Sequence, residues 1–218
     1  MSDLKVDGII ASTGTNTNLT LQGKGTGKVA IGDGALLFPD ADGSANQVIE
    51  TNASGVLSFV SLPSAGFTQG TEQATGSGSS VTFGSIPSGV DMIVVNFDDV
   101  SQTGTTDLGI QLGDAGGIET SGYIGGSTRA GLSSTAFETD VMPVMEGAGA
   151  SNNLVGSAIL TLTDAATYTW TFQSLLHGTS DGIFIMGVGN KSLSAELTQL
   201  KILSDGTFDN GAVNIMYQ

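Results

Sequence analysis

Thirty-three glycines punctuate the 218 residues of this chain, and no other feature constrains its fold as strongly. Glycine supplies the positive φ that tight turns require and weakens the interior of a helix. Together with abundant Ser and Thr, it breaks the sequence into short runs bounded by "GKGTG", "GDG", "DADG" and "NASG". This spacing predicts many short strands joined by tight turns, and no long helix.

What those strands can bury changes along the chain. Residues 1–62 hold two aromatics, Phe38 and Phe59, and the remaining eleven lie beyond them. The break falls at "SLPSAGF", residues 61–67, and separates an N-terminal region, 1–62, from a C-terminal domain, 63–218. The first region carries the strand candidates "NLTLQ", "KVAIG", "ALLF", "QVIE" and "GVLSF". A single chain of such runs buries too little to offset its ordering entropy, whereas several copies wound together can bury one another. In that arrangement Val48, Ile49, Leu57 and Phe59 are expected to point to a shared axis. Asn46 and Gln47 are expected to satisfy backbone groups at the turn, or each other across the axis.

The second region has stronger candidates: "SSVTF", "DMIVVNF", "LGIQL", "SAILTLT", "TYTWTF", "GIFIMGV", "LTQLKIL" and "VNIMYQ". In "TYTWTF" the alternation is strict, placing Tyr168, Trp170 and Phe172 on one face and Thr167, Thr169 and Thr171 on the other. That pattern marks a half-buried antiparallel strand. "DMIVVNF" and "GIFIMGV" are continuous enough to predict central strands buried on both faces. "SAELTQLKIL" admits one helical turn, but its apolar positions fit a strand better. Eight or more strands without helical periodicity indicate an all-β domain of sandwich or jelly-roll type.

Six basic and 21 acidic residues leave a net charge of −15. A surface this negative repels nucleic acid and anionic membranes, and it keeps an oligomer soluble. There is no cysteine, which excludes disulfides, thiol nucleophiles and thiolate metal sites. The N-terminal "MSDLKVDGIIAS" lacks the basic and apolar segments of a secretory signal. No run approaches the ~20 apolar residues of a membrane helix. Synthesis and assembly in a cytoplasm, without membrane insertion, are the expectation.

Two stretches carry a family resemblance. "FPDADGSANQVIETNASGVLSF" contains P-x-x-D-G-x-x-N-Q-V followed by T-x-x-S-G-x-L-S-F, and with the preceding "NLTLQGKGTGKVAIGDGALL" it resembles shaft segments of bacteriophage tail fibre proteins. "TTDLGIQLGDAGGIETSGY", "LTLTDAATYTWTF" and "SDGTFDNGAVNIMYQ" are similar to the C-terminal domains of such fibres. The resemblance covers both regions in the order shaft, then tip. It implies a homotrimeric virion fibre: an intertwined trimeric β shaft and a β-sandwich or jelly-roll tip that meets a host-surface glycan or protein. Its N-terminus would join other tail or baseplate proteins. The shaft is short and no tail-anchoring domain is evident, so a capsid head fibre or decoration protein built the same way stays open.

Few residues of this chain could carry chemistry. His177 is the single histidine, in "LLHGTSDG", and a Ser-His-Asp arrangement would have to recruit distant partners. "GGSTRAG" is not a nucleophile elbow, and "GKGTGKVA" departs from a phosphate loop at Gln22 and Val29. Asp98, Asp99, Asp107, Asp114 and Glu119 are the acids that a glycan-degrading tailspike would draw on, but no aromatic-rich groove surrounds them in the sequence. "DADGSANQVIE" places Asp40, Asp42, Ser44 and Asn46 at alternate positions with Glu50 downstream. It departs from a calcium loop at Ala45 and in the position of that acid. Neither catalytic residues, cofactor nor metal is therefore expected. For receptor contact the choice falls on Tyr123 and Arg129, in the Gly-rich "SGYIGGSTRAG", where a tyrosine ring could stack on a sugar. The competing expectation is that Tyr123 closes a strand and packs on the core. Trp170, in mid-strand, is expected in the core.

Overall fold

The computed structural model describes residues 30–31, 36–39, 43–62, 66–130, 138–148 and 150–218. Among them the chain is all-β, with antiparallel pairing throughout and no helix. It divides into two compact units, Met1–Ala65 and Gly66–Gln218, and the division lies within "SLPSAGF".

In the N-terminal unit, β1 (Ala30–Ile31) pairs with β2 (Leu36–Leu37), and β3 (Gln47–Thr51) pairs with β4 (Leu57–Ser61). "NLTLQ" and the acids Asp40 and Asp42 lie outside the described residues. Asn52 Oδ1 accepts from the amides of Ser54 and Val56 and closes the β3–β4 turn. The Gln47 side chain accepts from the Ser44 amide at 2.7 Å. The register pairs Ile49 with Phe59, Thr51 with Leu57 and Val48 with Val60. Because side chains alternate, Ile49, Leu57 and Phe59 share one face of the hairpin while Val48 lies on the other. The single shared axis expected for all four is thus corrected by the period of the strand. Neither face is closed: Val48 and Ile49 remain exposed.

Among its described residues the C-terminal unit has thirteen strands: β5 (Thr68–Gln69), β6 (Gln73–Ala74), β7 (Ser80–Phe83), β8 (Met92–Gln102), β9 (Thr106–Asp114), β10 (Gly117–Ile118), β11 (Tyr123–Arg129), β12 (Met142–Ala148), β13 (Leu154–Asp164), β14 (Thr169–Gly178), β15 (Phe184–Ser192), β16 (Gln199–Ser204) and β17 (Phe208–Tyr217). An eight-stranded sheet runs β11-β15-β14-β13-β8-β17, with β5 and β6 both on the far edge of β17. A five-stranded sheet runs β10-β9-β16-β7, with β12 also pairing with β9. The chain passes repeatedly from one sheet to the other, staying within one only at β5–β6, at β9–β10 and through the β13-β14-β15 meander.

One hydrophobic cluster joins the two sheets. Ile93, Val95, Phe97, Leu160, Trp170 and Phe172 come from the larger sheet, and Leu108, Ile110, Leu112, Leu200 and Ile202 from the smaller. Tyr168 sits in the turn before β14 at φ 50° and only partly joins the cluster. β12 approaches the inner side of β15 so closely that a side chain at Gly187 would meet the Pro143 carbonyl oxygen at 2.2 Å. Glycine there is a packing requirement rather than a turn residue.

"DMIVVNF" and "GIFIMGV" are not buried on both faces. From Met92 to Phe97 of β8 every second residue is buried and the intervening ones are half-buried. In β15, Ile185 and Gly187 are buried while Phe184, Met186 and Val188 are exposed. Continuous hydrophobicity reported two apolar faces correctly, but among the described residues this chain supplies a cover for only one of them.

Candidate functional site

The uncovered face is the outer side of the eight-stranded sheet. Its pairing register sets the outward residues in rows across the strands. One row runs Gly126, Val188, Gln173, Ile159, Val94, Met216, and the next runs Thr128, Met186, Leu175, Ser157, Asn96, Asn214. A third carries Ile124, Asn190, Thr171, Thr161 and Met92. These three rows contain no Asp, Glu, Lys or Arg. Ile124, Leu175, Phe184, Met186 and Val188 are 47–62% exposed. They gather over β11, β15 and β14, where a shallow groove passes between Leu175, Met186 and Val188 on one side and Ser157 and Ile159 on the other. Toward the β13–β14 turn the face becomes hydroxylic, and Asp164 stands at its edge, accepting from the Thr167 hydroxyl at 2.8 Å. The Thr171 hydroxyl lies 2.9 Å from that of Thr161 and 3.0 Å from that of Thr163, and Thr169 reaches Ser192 at 2.7 Å. His177 belongs to this face and rests against Phe184, ring centroids 5.3 Å apart.

A second feature lies on the outer side of the smaller sheet. Asp107, Glu138, Asp140, Glu146 and Asp205 line a recess of about 170 Å³. Asp107 accepts from the Gly147 amide at 2.8 Å. Burial, followed by the charges of Asp140 and Glu146, pushes the Glu138 carboxyl above its ordinary value. Burial and then the Asp107 charge do the same to Glu146. Among the described residues no three His, Asp or Glu side chains are arranged to hold a metal ion.

Tyr123 and Arg129 are held by their own chain. Tyr123 is 1% exposed, so no ring face is free for stacking. Its hydroxyl accepts from the Leu112 amide at 2.8 Å and donates to the Glu119 carbonyl at 2.7 Å. Burial pushes its pKa up to about 12. Arg129 donates to the Gly147 carbonyl at 2.7 Å and pairs with Asp181 at 3.3 Å. The glycines around Tyr123 read as a loop, yet they form β11, whose Gly125 and Gly126 pair with Gly189 and Val188.

The sequence acids separate into different neighbourhoods. Asp99 accepts from Asn153 and Asn210 across the β8–β17 bulge, and Asp98 is an exposed neighbour. Asp107 joins the recess. Asp114 accepts from Ser194 and the Gly116 amide. Glu119 pairs with Lys191, whose ammonium lies 5.3 Å from the Tyr123 ring centre. Burial works to raise the Glu119 carboxyl, but Lys191 and the Ser194 amide together hold it below its ordinary value. Sequence reasoning missed both the uncharged face and the recess. The first was legible as every second residue of "GIFIMGV", the second only once β9 and residues 138–146 were brought together.

No protein-family model, curated protein or solved structure matches this chain.

Proposed function

We propose that the chain is a structural virion protein of a bacteriophage, a tail fibre whose C-terminal β tip is presented as a homotrimer for host-surface recognition. The observation that carries this reading is the uncharged, partly apolar sheet face left open on a chain of net charge −15. A monomeric soluble domain rarely exposes such a contiguous surface, whereas a subunit of a fibre covers it on assembly. The order of a unit of short hairpins followed by a larger two-sheet unit supports a shaft followed by a sandwich-type tip. Tail or baseplate attachment through the N-terminal unit, and a host glycan or protein as the tip's target, complete the proposal. Three linked tips can raise avidity by roughly 10²–10⁴ over one, so weak single contacts suffice.

The test is competition: purified protein at saturating concentration should slow adsorption of the virions that carry it. If adsorption is unaffected while virions lacking the protein have fragile or bare capsids, the protein belongs to the head and the tail-fibre proposal fails.

The acidic recess supports a second reading, a glycan-degrading tailspike, because raised carboxyl pKa values suit a general acid. That reading requires reducing-end release from host polysaccharide, lost in both Glu138→Gln and Glu146→Gln.

A further inference from the structure

We infer that the outer face of the eight-stranded sheet, centred on Leu175, Met186 and Val188, is the surface through which the C-terminal unit packs against a second copy of itself. The inference rests on the fibre proposal and deepens it by naming the surface.

Charge selects the occupant. Two copies that each carry −15 repel one another over most approaches, since exposed carboxylates are strongly disfavoured opposite their own kind. Three consecutive rows of this face carry no ionisable side chain, so two copies meet there without opposing carboxylates. The residues that stand highest are thioether and aliphatic chains, the composition of an interface centre rather than its rim. Neutral hydroxyls and amides at the margin, including Thr161, Thr171 and Asn190, can form a rim without adding charge.

Area allows the same occupant. With strands ~4.8 Å apart and outward residues ~6.7 Å apart along each strand, each outward residue covers about 32 Å² in projection. The seventeen residues of the three rows then span roughly 550 Å² before side-chain relief is counted. This approaches the ~800 Å² per partner of a stable protein interface. A sugar ligand would meet the aliphatic and thioether chains of Leu175, Met186 and Val188 at the centre of the face, and an anionic membrane would be repelled by the rest of the chain.

The absence of cysteine allows a direct test on the full chain. Val188→Cys reports on the face, and Thr82→Cys, exposed on the smaller sheet, is the control. Maleimide labelling is measured alongside sedimentation. The expected result is an oligomer in which position 188 reacts roughly tenfold or more slowly than position 82, because an interface centre excludes solvent. Val188→Glu should then weaken association of a chain whose far-ultraviolet spectrum is unchanged. An oligomer that labels equally fast at both positions overturns the assigned face and leaves the fibre proposal standing. A monomer with both positions reactive overturns the two together. A monomer with position 188 protected shows that the chain covers its own face, and protection gained only on adding phosphatidylcholine vesicles shows a lipid surface; either result overturns the inference.

Discussion

Trp170 and Tyr123 show what single residues contribute to this fold. Trp170 is 2% exposed and stands on the face expected from the alternation of "TYTWTF", as does Phe172. Trp170→Ala should therefore destabilise the C-terminal unit by about 3–5 kcal/mol, read as a lower denaturant midpoint. An unchanged midpoint would remove the indole from the core. Tyr123 illustrates the limit of local reading. Its glycine neighbours signalled a loop, but they are small because β15 and β12 pass close to β11, a distant contact that local composition does not encode. Tyr123→Phe deletes a hydroxyl that joins β9 to the strand entry at Glu119. With the Leu112 amide left unpaired it should cost about 1–3 kcal/mol, measured by chemical unfolding. A destabilisation of that size with cell attachment intact identifies a structural role; lost attachment at unchanged stability identifies a receptor contact.

At the scale of elements, the long apolar strands were legible and the glycine-rich ones were not. β8, β13, β14, β15, β16 and β17 each contain a run whose side chains define it. β11 and β12 are specified instead by pairing, and Pro143 in β12 is tolerated where that strand's register shifts against β9, as a proline requires. The acids gathered by β9 and residues 138–146 give these elements a pH dependence. For Glu138 and Glu146 the folded pKa is raised above the ordinary 4.5, so between these values the folded state binds more protons than the unfolded one. Their contribution to stability therefore falls as pH rises through that window and stays unfavourable above it. Glu146→Gln should raise the melting temperature at neutral pH, an advantage that disappears below pH 4.5. Glu119 has the opposite sign: its lowered pKa contributes stability above its ordinary value that is lost as pH falls through the folded one. Lys191→Met, which leaves the partly buried Glu119 without its counter-ion and with only the Ser194 amide as donor, should destabilise at pH 7 and much less in acid. Melting curves of the two variants at both pH values check the signs, and matching trends would contradict the assignments.

For the whole molecule, the change in aromatic content near residue 62 and the break between compact units near Ala65 fall in the same short stretch. The proposed assembly was less legible, because it rests on a face that the chain leaves open rather than on a motif. Exposed Val188, Met186 and Leu175, together with the exposed apolar residues of the β3–β4 hairpin, describe a protein whose apolar surface exceeds what one chain covers. Sedimentation equilibrium of the full chain at moderate salt tests this most directly. The expected mass is three times 21.9 kDa, insensitive to further salt because the proposed interface is uncharged. A stable species of 21.9 kDa across the concentration range, with the apolar face still open to solvent, would contradict it.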